Sequence, residues 1–402
     1  MSHLRVAALV VVATATMTVS YLDRQAMAAM APTLTTELRL NETSFGLLAS
    51  AFSVAYLLCT PASGLLVDRF GARRVLPAAV GAWSLVSAAH ALAVGPWSLG
   101  ALRILLGAAE SPSFPAAAQA VARALPPARR EAATGVLFTG SSIGAAVAAA
   151  LVPPLVAAWG WKAAFVGTTA VGLAWLPCWW FVTRDLPALD GPPAPRGPPG
   201  VAALRALLGL RVTWRAIAAV VGSAPTIGLV LQWSAKLLVA RHGVDPASVG
   251  RYLWLPPLAF DLGAVGFGAV AAAITRRRGR TGPQRAPFAV AALLLLAIAG
   301  LGFGRTPWET TALAALAIAG GGGVYTLTTA DLLARVPAER VAAAGSLTAA
   351  AQSLALVLAL PAIGQLLDRT HDWRAVGVLL AAVAAPCALL WLTIDRSDAP
   401  AP

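Results

Sequence analysis

The chain has 402 residues, 58% of them hydrophobic and only 12% charged, with a net charge of +13 and a mean hydropathy of +0.74. Such a composition excludes a soluble globular domain. The arginines sit in short patches between apolar runs, with no continuous basic face interleaved with aromatics, so nucleic acid is excluded as the partner of the positive charge.

A bilayer-crossing helix needs about 20 mostly apolar residues. The first apolar run, from Arg5 past Ser20, is longer than a signal-peptide core and more runs follow, so it is read as a retained span. Taken in order, the runs predict spans at 5–33, 43–66, 75–94, 97–123, 133–158 and 162–183, then at 212–240, 247–274, 286–304, 309–334, 341–367 and 373–395. The Pro-rich run GPPAPRGPPG falls between the two sets and is too rich in proline for a helix interior. The expected organisation is therefore a bundle at 1–184, a cytoplasmic linker at 185–211 and a second bundle at 212–402. Cys59, Cys178 and Cys387 lie far apart within the spans, without metal-ligand spacing or a loop suited to a disulfide, and are read as packing or lipid-facing residues.

With both termini cytoplasmic, about twenty of the thirty Lys and Arg fall on that side and about seven outside. The opposite orientation reverses that bias at nearly every loop. A repeat relates the two sets. LPPARREAATG (125–135) and VPAERVAAAG (336–345) each close one span and open the next. Each is followed by a long apolar run containing proline and then by Trp161-Lys162-Ala163 or Trp373-Arg374-Ala375.

The loop after the second span reads Gly64-Leu-Leu-Val-Asp68-Arg69-Phe-Gly71-Ala-Arg73-Arg74, and the fourth span carries Arg103-Ile-Leu-Leu-Gly107. Both resemble signatures of the major facilitator superfamily, itself the type example of parallel halves related by an axis along the membrane normal. The resemblance implies an all-α polytopic membrane protein with twelve transmembrane helices in two pseudo-symmetric six-helix bundles. A narrower likeness is carried by Tyr21-Leu22-Asp23-Arg24, by Gly107-Ala-Ala-Glu110-Ser-Pro-Ser-Phe-Pro115 and by Gly140-Ser-Ser-Ile-Gly144. These are similar to the anion:cation symporter family, which includes bacterial sugar-acid carriers and vesicular glutamate and sialic acid carriers. Trp254-Leu-Pro256 with Asp261-Leu-Gly263 is similar to its hexuronate branch, as is Lys236 in Trp233-Ser-Ala-Lys236-Leu, which lacks that branch's usual proline and tyrosine.

Ionisable groups inside a span cost at least ~2.5 kcal/mol each on insertion scales, so each calls for a partner or a task. Asp23 and Arg24 stand in the first span, Arg103 and Glu110 in the fourth. The last two are two helical turns apart, roughly 10 Å, on one face but beyond a direct salt bridge unless the side chains bend. An arginine is permanently charged and meets a carboxylate with two parallel hydrogen bonds, which makes Arg24 and Arg103 candidate ligands for an anionic substrate. A carboxyl group in a low-dielectric site can hold a proton near neutral pH. Asp23 and Glu110 are then candidate proton carriers, a role the resemblance also implies. The alternative is that these groups neutralise one another and only lock the first span against the fourth.

Tyr56 falls near a family position that contacts substrate, or is a packed aromatic. Lys236 either completes a cationic site or snorkels to the interface, and Gln232, one turn earlier, is a candidate hydroxyl ligand. Ser141 and Ser142 either bond substrate or permit close packing. Asp261 has no evident partner, and His90 is either proton-linked or a packing residue. Asp68 with Arg69, Arg73 and Arg74 is assigned to gating at the cytoplasmic edge. Asp331 and Arg335 are read as local helix support. Gly320–Gly323, with Pro112 and Pro115, supply bend points or, for the glycines, close packing.

The expected function is proton-coupled symport of a small organic anion, a sugar acid such as a hexuronate, across a bacterial inner membrane by a monomer. A proton-antiport efflux carrier is the alternative on the same fold, and a membrane sensor that binds without transport is a third. No nucleophile–base constellation, metal spacing or phosphate loop suggests an enzyme, a metal or a cofactor.

Overall fold

The structure, a computed structural model, describes residues 3–186, 189, 205–278, 284–336 and 341–393. Outside them lie the Pro-rich run 191–200 with most of the expected linker, and residues 337–340 of the second repeat motif. Every regular element among the described residues is helical. The chain forms two compact units, Met1–Ala194 with Ala235–Trp254, and Pro195–Ser234 with Leu255–Pro402.

The first unit contains α1 (His3–Ala29), α2 (Ala31–Glu37), α3 (Glu42–Phe70), α4 (Ala72–Ala89), α5 (Pro96–Glu110), α6 (Ser113–Ala124) and α7 (Pro127–Thr183). Local chemistry sets several of these boundaries. The Asn41 side chain accepts a hydrogen bond from the Ser44 backbone N–H at 2.8 Å, capping α3. Helix α3 ends at Gly71, whose φ of 76° lies where side chains other than glycine's are strained. The turn presents the Ala72 N–H to Gln119 Oε1 at 3.0 Å. At Gly160, φ 79°, α7 changes direction, so its length holds two membrane crossings rather than one.

The second unit contains most of α8 (Arg211–His242), then α9 (Leu255–Arg278), α10 (Arg285–Leu295) continuing as 3₁₀ turns through Leu296–Phe303, α11 (Pro307–Leu333), α12 (Val341–Thr370) and α13 (Trp373–Thr393). Ten described helices are long and apolar enough to cross a membrane. The kink at Gly160 divides one of them, and the expected span 97–123 is present as α5 and α6, each too short to qualify alone. The twelve expected crossings are thereby accounted for. The break between α5 and α6 falls at Ser111 and Pro112, where proline cannot donate to the helical ladder.

The glycine run behaves otherwise. Helix α11 passes through Gly320–Gly323 without interruption. A Cβ on Gly320 would meet the backbone of Ala291 and Leu295, and one on Gly322 the Phe260 carbonyl. These glycines let α11 approach α9 and α10 closely, so the packing alternative is the one seen and the helix runs on through them. The repeat also extends further than its sequence motifs: Pro96-Trp97 opens α5 as Pro307-Trp308 opens α11, each with proline in the first helical turn.

In the first unit the decisive contact is α1 against α7. A Cβ on Gly140 would strike the Thr14 carbonyl and Met17, and one on Gly144 the Thr18 carbonyl, Tyr21 and Leu22. This small-xxx-small spacing is what lets two apolar helices pack backbone to backbone in lipid. We expect Gly144→Val to lower the melting temperature of the detergent-solubilised protein by several degrees, since overpacking against backbone costs about 1–3 kcal/mol. Gly81→Ala, where nothing lies within 4 Å of the added carbon, is the control. Equal melting of the two variants would remove this contact from the account of the fold.

Candidate functional site

Ser20, Asp23 and Arg24 lie within little more than one turn of α1, and they diverge in what they reach. Glu110, at the end of α5, accepts at Oε2 from Arg24 Nε at 2.7 Å and from the Ser20 hydroxyl at 2.7 Å. Asp23 turns instead toward α4, where its Oδ1 accepts from the Ser87 hydroxyl at 2.9 Å. That hydroxyl is in turn 3.4 Å from the hydroxyl of Thr168 on α7. Adjacent residues on a helix point about 100° apart, so the Asp23–Arg24 pair serves two different neighbours and does not neutralise itself.

Aromatic rings line the cationic side. The Arg24 guanidinium carbon sits 4.9 Å from the Tyr21 ring centre, 4.8 Å from Phe52 and 4.6 Å from Tyr56. Arg103 sits 5.0 Å from the Phe52 ring. Helix α5 reaches this close to α3 because Gly107 lies directly on the Phe52 carbonyl and beside Ala55. Asp23, Arg103 and Glu110 are each at most 1% exposed. Among the described residues, Arg103 Nε and Nη1, Arg24 Nη2, Asp23 Oδ2 and Glu110 Oε1 have no hydrogen-bond partner. Buried polar atoms of this kind are rare enough to call for an explanation, and a ligand is one.

The locking reading of the four charges is met in part. Arg24 and Glu110 do fasten the first span to the fourth. Arg103 and Asp23 take no part in that ion pair, and each keeps a buried polar atom without a hydrogen-bond partner among the described residues. In the second unit, the register set by Pro96 and Pro307 places Ala314 and Gly321 where the first has Arg103 and Glu110. The charged cluster has no counterpart at those repeat positions.

The remaining candidates divide clearly. Lys236 is buried and forms an ion pair with Glu42 of α3, its ammonium 4.9 Å from the Phe45 ring; it neither snorkels nor adds a bare cation to the arginines. Gln232 belongs to the second unit, half-buried, with Oε1 making no hydrogen bond among the described residues. Ser141 donates to the Phe138 carbonyl of its own helix at 2.6 Å, and Ser142 is buried. His90 is fully buried, with Nδ1 2.8 Å from the Val86 carbonyl and its ring stacked on Phe165. Asp261 is half-buried on α9. At the gating motif, Arg73 donates to the Arg184 carbonyl at 2.7 Å, Arg69 lies over Phe70, Arg74 is exposed and Asp68 is half-buried.

Sequence reasoning missed Ser20, Ser87, Phe52, Glu42 and Arg215. Only Ser20 carried a signal, standing one turn before Arg24 on the same face. Arg215 is 2% exposed, with Nη2 3.6 Å from Asp331 Oδ2 and its guanidinium over Trp391. Asp331 also accepts from Arg335 Nε at 3.0 Å, so what looked like local helix support joins α8, α11 and α13.

A family profile described as Major Facilitator Superfamily matches residues 13–358. The hexuronate transporter of Bacillus subtilis (strain 168) is 36% identical over 169 residues, which are 42% of this chain and only 40% of that relative. The galacturonate transporter of Dickeya chrysanthemi is 27% identical over 259 residues, covering 61% of this chain and 75% of that one. Among solved structures, a bacterial homologue of the human lysosomal transporter Spinster superposes with a TM-score of 0.83 over 98% of this chain and 97% of that one, at 16% identity, a likeness of fold alone.

Proposed function

This chain belongs to the Major Facilitator Superfamily, and from that premise we propose that it carries a small organic anion, a sugar acid of the hexuronate class, together with a proton across a bacterial inner membrane by alternating access. It is a multi-pass membrane transport protein and not an enzyme. The names of its hexuronate and galacturonate relatives support the substrate class.

The observation that carries the proposal is the charge balance of one buried cluster. Two guanidiniums, Arg24 and Arg103, stand with two carboxyls, Asp23 and Glu110, which when ionised sum to zero. Arg24 is held by Glu110 through a charge-assisted hydrogen bond. An incoming carboxylate must compete with Glu110 for that guanidinium. If Glu110 takes a proton, Arg24 is released, the cluster becomes positive by one, and an anion restores neutrality across Arg24 and Arg103. Either half-step alone leaves an uncompensated charge in a low-dielectric interior, at a cost of several kcal/mol. Neutrality therefore favours the empty ionised state and the state loaded with one anion and one proton. Asp23, on α1 and held toward α4 by the Ser87 hydroxyl, keeps the balance from the other side.

Proteoliposomes given an inward proton gradient should accumulate labelled glucuronate or galacturonate above equilibrium, and collapsing the gradient with a protonophore should release it. Accumulation that survives the protonophore, or outward movement driven by the same gradient, would overturn the symport reading.

A further inference from the structure

We propose that Phe52 is a positioning residue of the anion site, a ring shared by both guanidiniums, which holds them buried and in place while Glu110 is neutral. The inference rests on the symport reading. Phe52 is 6% exposed, and its ring centre lies 4.8 Å from the Arg24 guanidinium carbon and 5.0 Å from that of Arg103. The Tyr21 and Tyr56 rings also stand near Arg24, at 4.9 and 4.6 Å. The Tyr56 ring stacks on Phe52 at 5.8 Å, and the close seating of Gly107 on the Phe52 carbonyl fixes α3 against α5. The ring is therefore delivered to both cations by backbone packing, not by a mobile loop.

Its task follows from the coupling. Once Glu110 carries a proton, Arg24 loses its carboxylate, and Arg103 has no ion-pair hydrogen bond at Nε or Nη1 to fall back on. An aromatic face attracts a cation most when the cation is desolvated, and it does so without adding a charge that would compete with the substrate. Phe52 thus steadies both guanidiniums in the state that must receive an anion, and it sets the spacing of the two forks that receive it. Leucine fills most of the same volume but lacks the negative face.

Phe52→Leu should raise the KM for glucuronate about tenfold, by more than any fall in maximal rate, while Phe52→Tyr restores it. Thermal melting supplies a test that needs no ligand. Phe52→Leu should lower the melting temperature in the wild-type background, and most of that loss should vanish when Arg24 and Arg103 are both methionine. An equal loss in both backgrounds means the ring only packs and overturns the proposal, as does an unchanged KM. A wild-type protein that binds no carboxylate overturns the transport reading alone, because the melting comparison still decides the role of Phe52.

Discussion

Glu110→Gln is expected to abolish gradient-driven accumulation of glucuronate while leaving counterflow exchange intact. The amide keeps the shape of the carboxyl and can still accept from Ser20, whose hydroxyl lies 2.7 Å from Glu110 Oε2. It cannot carry the negative charge that pairs with Arg24 at 2.7 Å. The emptied variant then holds a cluster with one positive charge in excess, a state whose uncompensated charge costs about 3–5 kcal/mol. Anion binding relieves that excess, so glucuronate should bind the variant at least as tightly as it binds the wild type. Its affinity should also no longer rise as pH falls, because the proton that accompanied the anion has nowhere to sit. Return of the empty carrier should slow by about two orders of magnitude or more, from the same penalty at 1.4 kcal/mol per decade. Exchange never passes through the empty state and should continue. Concentrative uptake by the variant would move the coupling proton elsewhere, with Asp23 the first alternative.

The fold was legible in the sequence because a membrane span is written in one dimension. Run length, proline and charged breaks located all twelve crossings without knowledge of any contact. Two features were left undecided by that logic for a physical reason. A run of glycines suits a hinge or close packing alike, and in α11 the space is taken by backbone at Gly320 and Gly322 and by side chains at Gly321 and Gly323, while the helix continues. A lysine at a span end suggests an interface, yet Lys236 finds Glu42, a partner remote in sequence. The candidate site was half legible. Asp23, Arg24, Arg103 and Glu110 announce themselves because charge is expensive in lipid. Their partners do not, since Ser87, Thr168 and Phe52 are ordinary residues of a transmembrane helix. Helical period says which residues share a face, but not which helix that face meets. That information lay in Gly107, Gly140 and Gly144, whose close approaches set the helix neighbours.

Arg103→Ala should lose glucuronate affinity by about two to nearly four orders of magnitude, from the roughly 3–5 kcal/mol typical of removing one member of a buried charge group. Arg103 is 1% exposed and is not the partner of Glu110, so this loss is not that of the fastening between α1 and α5. Expression, membrane insertion and the Arg24–Glu110 contact should persist. With the guanidinium gone, the empty cluster is negative by one, and a proton on Glu110 or Asp23 corrects it without any anion. The variant is then neutral when protonated and empty, which removes the electrostatic reason to bind substrate. Arg103→Lys separates charge from shape. A point charge keeps the balance but cannot offer two parallel hydrogen bonds to one carboxylate, so affinity should fall by only about tenfold while proton coupling survives. The ordering wild type, lysine, alanine in affinity, with coupling kept in the first two, is the signature of a guanidinium that holds the anion. If alanine binds glucuronate as tightly as arginine does, Arg103 is a structural cation and the anion is held by Arg24 or outside this cluster.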